Sequence, residues 1–290
     1  MTAGPGPQGP GTAQNRGCKM DNLALKKKAL QLRKDVARMI GVGKVGHLGG
    51  SCSLADIVTV LYYEEMKVDP ANPHMPDRDR FLLSKGHAAL IQYAALGDLG
   101  FFPKEEESTL KKLGSRLQGH PDLRKLPGIE ANTGSLGQGI SMAAGMAAGL
   151  RLDHSPARVY CALGDGELAE GQVWEALMSA GVFKLSNLCA IFDLNGLQAT
   201  GPVAERFDSS PYREKLEAFR WHVVEINGHD FDEIRAAFKA AREETGRPTA
   251  ILAHTVKGKG FAFAENVVGF HNGALTQEQL DAALAVPEEE

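Results

Sequence analysis

The sequence predicts an α/β protein with a doubly wound, mostly parallel sheet flanked by helices. Four short apolar segments have the length and composition of buried strands, and helical patterns separate them. The four segments are VYCAL (159–163), LCAIF (188–192), HVVEI (222–226) and TAILAHT (249–255). Strands that alternate with helices in this way are typical of βαβ units, in which helices cover both faces of a parallel sheet.

The part of the chain before these strands also contains recognisable elements. Apolar residues recur at helical spacing from Leu25 to Ile40, which predicts an amphipathic helix. The glycine-rich stretch 41–50 predicts a loop, and Ser53 followed by Asp56 favours a helix that starts there. The remaining expected elements are a strand at 81–84 and helices at 104–113, 134–150, 167–183, 212–219 and 230–244.

The chain shows one composition over most of its length. No break divides residues 21–270 and no internal repeat is visible, so residues 21–290 are expected to form one domain. Residues 1–20 are rich in Gly and Pro and lack the apolar segment of a signal peptide, which predicts a disordered tail. The most apolar stretch, 136–150, is too short to span a bilayer. A cytoplasmic protein without membrane contact is expected.

Charge and cysteine content mainly exclude functions. Lys and Arg number 32 against 36 Asp and Glu, a net charge of −4 that gives no footprint of a nucleic-acid binder. The four cysteines show no metal-binding spacing, and Cys161 and Cys189 fall in predicted buried strands, where core packing is expected. Glycine accounts for 33 of 290 residues. Such an excess suggests places where the backbone approaches a ligand or another segment closely.

Polar residues follow two neighbouring strands of the predicted sheet. Gly164, Asp165 and Gly166 come directly after the first of the four strands, and Asn195 follows the second, 30 residues after the aspartate. Ligands of parallel sheets bind at the carboxyl ends of strands, and carboxylate and amide oxygens together with diphosphate oxygens suit Mg²⁺. A tight turn would explain the Gly-Asp-Gly sequence by itself. The asparagine at the next strand end favours a cation and diphosphate site instead.

Eight motifs occur along the chain in a defined order. They are VGHLGGSCSLADI (45–57), DRFLLSKGHAAL (79–90), GHP (119–121), NTGSLGQGIS (132–141), ALGDGELAEGQVWEA (162–176), FDLNGLQATG (192–201), VKGKG (256–260) and FHNGAL (270–275). In sequence and in order they resemble the transketolase family of thiamine-diphosphate-dependent enzymes. Each motif alone is a weak signal, whereas eight in the family's order are specific. The resemblance implies the thiamine-diphosphate-binding fold of the family's N-terminal (PP) domain.

The resemblance also implies a cofactor site. Asp165 and Asn195 match the family's Mg²⁺ ligands, with the backbone oxygen of Leu197 as a third; Ca²⁺ or Mn²⁺ could take the same place. Gly164 and Gly166 match the glycines that hold the diphosphate of thiamine diphosphate. A cation in this position would bridge the protein carboxylate and the charged end of the cofactor.

Four of the nine histidines match catalytic histidines of the family. His87 and His271 resemble residues near the diphosphate and the entrance of the active site. His47 and His120 resemble residues that contact the hydroxyls of the donor and assist proton transfer. A lone histidine is usually a surface or core residue, so the interpretation depends on all four lying in glycine-flanked loops. His271 is followed by Asn272, where the family commonly has glycine.

Further residues match the cofactor's ring site and an interface between subunits. Gly134, Ser135 and Leu136 match the segment that lines the aminopyrimidine and thiazolium rings. Leu136 would be an apolar wall, or alternatively a residue that packs the start of a helix. Glu170 matches a glutamate at the dimer interface, where it helps to position the catalytic glutamate of the partner domain. The alternative for Glu170 is a solvated helix residue.

The resemblance extends over the family's first domain alone, as in the N-terminal subunit of a split transketolase. It implies a C-terminal partner subunit that carries the pyrimidine-binding domain, an α₂β₂ heterotetramer, and activity only with that partner. The reaction would be transfer of a two-carbon ketol unit between small sugars or sugar phosphates.

Other functions remain open from the sequence. They are part of another thiamine-diphosphate enzyme, resembling deoxyxylulose-phosphate synthase or a dehydrogenase E1, and a non-catalytic scaffold of the same fold. The SKGH, TGSLGQG and GHP segments favour transketolase over a dehydrogenase E1. The retained residues, among them Asp165 and Asn195, argue against a scaffold. A nucleotide-binding Rossmann protein is disfavoured because no GxGxxG follows the first strand.

Overall fold

The computed structural model describes residues 19–288 and has a five-stranded parallel sheet at its centre. The strands are β1 (Arg80–Leu83), β2 (Val159–Gly164), β3 (Leu188–Leu194), β4 (His222–Asn227) and β5 (Thr249–His254). Their order across the sheet is β1-β2-β3-β5-β4, and each neighbouring pair is parallel. The predicted α/β fold with a mostly parallel sheet is confirmed.

Helices surround this sheet. The α-helices are α1 (Asn22–Ile40), α2 (Leu48–Ser53), α3 (Ala55–Val60), α4 (Ala89–Leu99), α5 (Gln138–Leu152), α6 (Gly171–Val182), α7 (Val203–Arg206), α8 (Tyr212–Ala218), α9 (Phe231–Glu243) and α10 (Gln277–Ala285). Short 3₁₀ helices lie at Gly86–Ala88, Lys104–Thr109, Asp165–Ala169 and Val268–His271, and a π-helical turn at Leu61–Glu65. Two antiparallel pairs of two-residue strands join Val45–Gly46 to Gly273–Ala274 and Leu197–Gln198 to Gly201–Pro202.

The sheet has an apolar core on each face because successive strand residues point to opposite sides. In β2, Tyr160 and Ala162 pack in the cluster that contains α1, α3, α4 and α9. Val159 and Cys161 pack in the second cluster, which contains α5, α6 and α8. Burial on both faces explains why these strands are continuous apolar runs in the sequence. Cys161 and Cys189 are buried, as predicted.

The helices before the sheet differ from the sequence-based boundaries. The predicted loop at 41–50 ends early, because α2 begins at Leu48 rather than at Ser53. Position 49 in this helix is a glycine because α2 packs closely against a later segment of the chain. A Cβ atom at Gly49 would lie 2.9 Å from Cγ of Lys257. Here glycine marks a close approach and not a loop.

Three other predicted helices also have different bounds. The helix expected at 104–113 is a 3₁₀ helix that ends at Thr109, and the positive φ of 58° at Lys111 is incompatible with its continuation. The helix expected at 134–150 starts at Gln138, after Gly137 with φ of +83°. The helix expected at 167–183 starts at Gly171, because a 3₁₀ turn comes first.

The tail predicted at 1–20 falls almost entirely outside the described part of the chain, which begins at residue 19. The sequence also predicts that no segment spans a membrane, and the helices of the structure bear on this prediction. Within residues 19–288, no helix combines the length and the apolar composition that crossing a bilayer requires.

Candidate active site

The two predicted metal ligands lie side by side at the carboxyl edge of the sheet. Asp165 follows β2 and Asn195 follows β3, and these strands are direct neighbours. The Asp165 carboxylate accepts the backbone N–H of Gly196 at 2.5 Å and that of Gly166 at 2.8 Å. Burial, together with the nearby Asp193 carboxylate, raises the pKa of Asp165 to about 6. The parallel topology therefore brings together residues that are 30 positions apart.

A buried ion pair lies beneath these ligands. Lys85, which follows β1, contacts the Asp193 carboxylate near the end of β3, and neither side chain is more than 2% exposed. Asp193 also accepts hydrogen bonds from Ser53 Oγ at 2.6 Å, from Asn195 Nδ2 at 2.9 Å and from the Thr255 hydroxyl. Burial favours the neutral acid, but the Lys85 ammonium outweighs it and holds the pKa of Asp193 below its ordinary value. The hydrogen bond to Asp193 thereby orients the amide of Asn195.

A second buried lysine reaches the third predicted ligand. Lys257 Nζ donates to the backbone oxygen of Leu197 at 2.7 Å and lies 3.0 Å from Nδ1 of His271. Burial, with a contribution from the Lys85 charge, lowers the pKa of Lys257 to about 8. A carbonyl oxygen has two lone pairs, so Leu197 can accept this hydrogen bond and still face a cation.

These groups line one cleft with a volume of about 140 Å³. Its lining comprises Gly50, Lys85, His87, Leu136, Gly164, Asp165, Gly166, Glu167, Asn195, Leu197, Gln198, Ala199, Lys257 and His271. Within residues 19–288, no group of three or more His, Cys, Asp or Glu side chains could hold a metal. The predicted set instead combines one carboxylate, one amide and one backbone carbonyl, which are the oxygen donors that Mg²⁺ prefers.

The cleft is also shaped for a close-fitting anion. A Cβ atom at Gly166 would lie 2.8 Å from Cβ of Gln198, so the loop after Asp165 has room only for glycine. Lys85 and Lys257 line the same space. Glycine loops next to lysine side chains are typical of phosphate sites, because they let the phosphate approach the backbone closely. The residues present therefore fit a diphosphate bound through a divalent cation.

The four predicted histidines form one cluster at this cleft. The His47 ring centroid lies 5.2 Å from that of His87, 5.7 Å from that of His271 and 6.2 Å from that of His120. His87 and His271 are 4.9 Å apart, and both line the cleft. The residue after His271 is not glycine, yet the geometry brings His271 into the cluster.

All four imidazoles are held in the neutral form near pH 7. Burial and the positive charges around His47 lower its pKa to about 4. Burial and Lys85 lower the pKa of His87 to about 2. Burial and Lys257 lower the pKa of His271 to about 4, and burial also lowers that of His120. Neutral imidazoles can both donate and accept protons.

The predicted ring-site segment and Glu170 lie at the edge of the cleft. Leu136 lines it, whereas Ser135 is exposed. Gly134 lies directly under His120, because a Cβ atom there would be 2.5 Å from the His120 ring. Glu170 is exposed and occupies the N-cap position of α6 without a capping hydrogen bond from its side chain, next to the turn at Gly137.

Sequence reasoning did not single out four buried charged groups of the site. They are Lys85, Glu167, Asp193 and Lys257. All four lie inside the quoted motifs SKGH, GDGELAEG, FDLNG and VKGKG, so the motifs were the available signal. A charged residue after a strand is usually solvated, so nothing local indicated that these side chains turn inward.

The fold and the cleft together define a class, namely α/β proteins with a charged ligand cleft at the carboxyl ends of parallel strands. The family model "Transketolase, thiamine diphosphate binding domain" matches residues 26–285. The chain therefore belongs to the transketolase family of thiamine-diphosphate-dependent transferases.

Two relatives are named as transketolase subunits. The chain is 45% identical over 92% of its length to the 6-deoxy-6-sulfo-D-fructose transketolase subunit SqwG of Clostridium sp. (strain MSTE9), and the match covers 98% of that protein. It is 38% identical over 87% of its length to one of the apulose-4-phosphate transketolase subunits of Phocaeicola vulgatus, and the match covers 89% of that protein.

A solved structure shows the same fold. The transketolase of Campylobacter jejuni superimposes with a TM-score of 0.84 at 35% identity over 91% of this chain. This chain spans 42% of the length of that protein, whereas it matches nearly the whole of the two relatives named as subunits.

Proposed function

We propose that this chain is the N-terminal subunit of a two-subunit transketolase. It binds Mg²⁺ and thiamine diphosphate and, with a partner subunit, transfers a two-carbon ketol unit from a ketose donor to an aldose acceptor. The observation that carries the proposal is the meeting of Asp165, Asn195 and the Leu197 carbonyl in one cleft with His87 and His271. The two relatives named as transketolase subunits, matched over 98% and 89% of their lengths, support the view that this chain is one half of a split enzyme.

The metal and the diphosphate would be held by groups at the carboxyl edge of the sheet. Asp165, Asn195 and Leu197 supply three oxygen ligands for Mg²⁺, or for Ca²⁺ or Mn²⁺ in its place. Gly166, together with Gly164, leaves the backbone open to the diphosphate. Lys257 and Lys85 offset its negative charge. Leu136, which lines the same cleft and follows Gly134 and Ser135, forms the apolar wall for the rings.

Thiamine diphosphate, when bound, supplies the carbanion chemistry that breaks and forms the carbon–carbon bond. The histidines of this chain bind the substrate and transfer protons next to the cofactor. His47 and His120, which belong to the cluster but do not line the cleft, hydrogen-bond to the hydroxyls of the donor and exchange protons with them. His87 and His271 line the cleft itself, beside the diphosphate. Because their pKa values are lowered, these groups act as neutral donors and acceptors near pH 7.

The partner would be a C-terminal transketolase subunit with the pyrimidine-binding domain, in an α₂β₂ assembly. The exposed Glu170 lies next to the ring-site segment, which suits a residue that contacts a partner's catalytic glutamate. In this proposal, residues 21–290 form one thiamine-diphosphate-binding domain. The protein is located in the cytoplasm, and cell fractionation would test this location.

The substrates would be small anionic sugars. The two relatives are named for a sulfonated fructose and for apulose 4-phosphate, and both compounds carry a negative charge far from the reacting carbons. Both compounds are ketoses, so they are the first donors to assay.

The reaction is tested by ketol transfer with Mg²⁺ and thiamine diphosphate. The full chain is assayed alone and after co-purification with the product of an adjacent reading frame that encodes a pyrimidine-binding domain. We expect transfer only from the mixture. Robust transfer by the purified chain alone would refute the proposal that the enzyme is split. Absence of transfer from a stable, cofactor-loaded complex would refute the proposed ketol-transfer reaction.

The metal site is tested separately by Asp165→Ala. We expect this variant to lose Mg²⁺-dependent binding of thiamine diphosphate, measured by isothermal titration calorimetry. The control is Asp153→Ala, which removes an exposed carboxylate at the far end of α5. Unchanged binding by Asp165→Ala would show that the proposed metal site is wrong.

A further inference from the structure

Glu167 is a buried carboxylate at the cleft that the resemblance to the family left without a role. Its side chain is 2% exposed, and both of its oxygens accept hydrogen bonds. Oε1 accepts the Ser84 hydroxyl at 2.5 Å and the backbone N–H of Gly137 at 2.7 Å. Oε2 accepts the backbone N–H of Gly164 at 3.2 Å. All three donors therefore point at one carboxylate group.

The three donors belong to three different segments of the proposed cofactor site. Ser84 precedes the turn with Lys85 and His87, after β1. Gly137 follows the ring-site segment that ends at Leu136, and Gly164 immediately precedes Asp165. Glu167 thus contacts all three segments. The segment at Gly137 belongs to the ring site, and those at Ser84 and Gly164 belong to the diphosphate and metal site.

The same segments also pack without space between their backbones. A Cβ atom at Gly86 would lie 2.6 Å from the backbone N of Gly134, and one at Gly139 would lie 2.5 Å from Cβ of Ser84. These glycines allow the segments to approach, but glycine has no side chain that could fix their relative position. The Glu167 carboxylate supplies the directional contacts at this junction.

A carboxylate is suited to this position because it accepts hydrogen bonds at both oxygens. An amide of the same shape would direct an NH₂ group at one of the donors. Burial raises the pKa of Glu167, so the three hydrogen bonds and the nearby Lys85 charge offset a real cost of burying the carboxylate. An apolar side chain would avoid that cost but leave the three donors unsatisfied.

We propose that Glu167 is a positioning residue that fixes the ring-site segment at Leu136 relative to the diphosphate segment at Asp165. The inference rests on the proposed function, since it concerns a ligand that touches both segments at once. A preorganised pair of segments binds such a ligand with less loss of conformational freedom. A ligand that touches the diphosphate segment alone gains little from this preorganisation.

The test compares two ligands on the full chain by isothermal titration calorimetry. Mg²⁺ with thiamine diphosphate reports on both segments, and Mg²⁺ with inorganic pyrophosphate reports on the diphosphate segment. For Glu167→Gln we expect the affinity for thiamine diphosphate to fall about tenfold or more, as for loss of one hydrogen bond to a charged group. The affinity for pyrophosphate should fall less than about threefold. The affinity ratio, defined as the affinity for thiamine diphosphate divided by that for pyrophosphate, therefore decreases.

The matched control is Glu65→Gln. Glu65 is also a buried carboxylate, 4% exposed, and it bonds to Tyr160 and Arg242 near the start of β2, whereas Glu167 follows its end. We expect a lower melting temperature for this control and an unchanged affinity ratio. An unchanged ratio in Glu167→Gln, or an equal loss for both ligands, would overturn the proposal, since a merely structural role gives that result.

A second measurement separates this inference from the proposed function. If the wild-type chain binds no thiamine diphosphate, the proposed cofactor role fails, and amide exchange decides whether Glu167 fixes the segments. We then expect amide hydrogens at Gly137 and Gly164 to exchange at least about tenfold faster in Glu167→Gln than in wild type. Equal exchange rates overturn the proposal. If Glu167→Gln does not fold, Ser84→Ala removes one donor only, and an unchanged affinity ratio there has the same meaning.

Discussion

The buried ion pair between Lys85 and Asp193 makes a strong prediction for stability. Asp193 is fully buried, Lys85 is 2% exposed, and the pair joins the end of β1 to the end of β3. The substitution Asp193→Asn keeps the volume of the side chain and part of its hydrogen bonding to Ser53 and Thr255. It removes the counter-charge of an ammonium group that is almost fully buried.

Removing one partner of a buried ion pair costs about 3–5 kcal/mol. A typical domain has a free energy of unfolding of about 5–15 kcal/mol, so the variant should lose a large part of its stability. The measurement is urea unfolding followed by circular dichroism. The double variant Lys85→Met/Asp193→Asn removes the unpaired charge as well, and we expect a coupling energy of about 2 kcal/mol between the two sites.

The control for this prediction is the exposed pair of Lys239 and Glu243 on α9, whose side chains are 63% and 62% exposed. Glu243→Gln should change the free energy of unfolding by less than about 0.5 kcal/mol. A loss below about 1 kcal/mol in Asp193→Asn, or a coupling energy near zero, would refute the reasoning that the charges depend on each other.

Two further predictions concern packing and pH. Gly139→Ala places a Cβ atom 2.5 Å from that of Ser84 and should cost about 1–3 kcal/mol in urea unfolding. Gly145→Ala, in the same helix with no atom within 4 Å, should gain about 0.5–1 kcal/mol, and equal effects would contradict the packing argument. The pKa of His87 is lowered to about 2, so below pH 6.5 the unfolded chain binds a proton that the folded chain does not. Wild type should therefore lose stability relative to His87→Gln as the pH falls from about 7 to 5, and a constant difference would disprove this.

The sequence was sufficient for the sheet and for the position of the two predicted metal ligands. Strands buried on both faces are continuous apolar runs, and such runs are visible without any structure. Asp165 and Asn195 each follow such a run, and parallel strands end at the same edge. The approximate site therefore follows from strand pattern and topology.

Element boundaries were less accessible because glycine has two opposite uses. The glycines at 41–50 suggested a loop, yet Gly49 and Gly50 lie in α2, which begins at Leu48. Position 49 is a glycine because Lys257, more than 200 residues away in the sequence, packs against it. Only the folded chain distinguishes a glycine that bends the backbone from one that admits a neighbour.

The charge state of the cleft was the property that the sequence pattern predicted least well. The motifs indicated the histidines, but their neutrality results from burial and from the ammonium groups of Lys85 and Lys257, which come from distant segments. The same two lysines lie among three buried carboxylates, Asp165, Glu167 and Asp193. Carboxylates thus outnumber ammonium groups around the cleft, so its own side chains do not favour a free diphosphate. A divalent cation at Asp165 would reverse that balance, which is a physical reason for metal and diphosphate to bind here together.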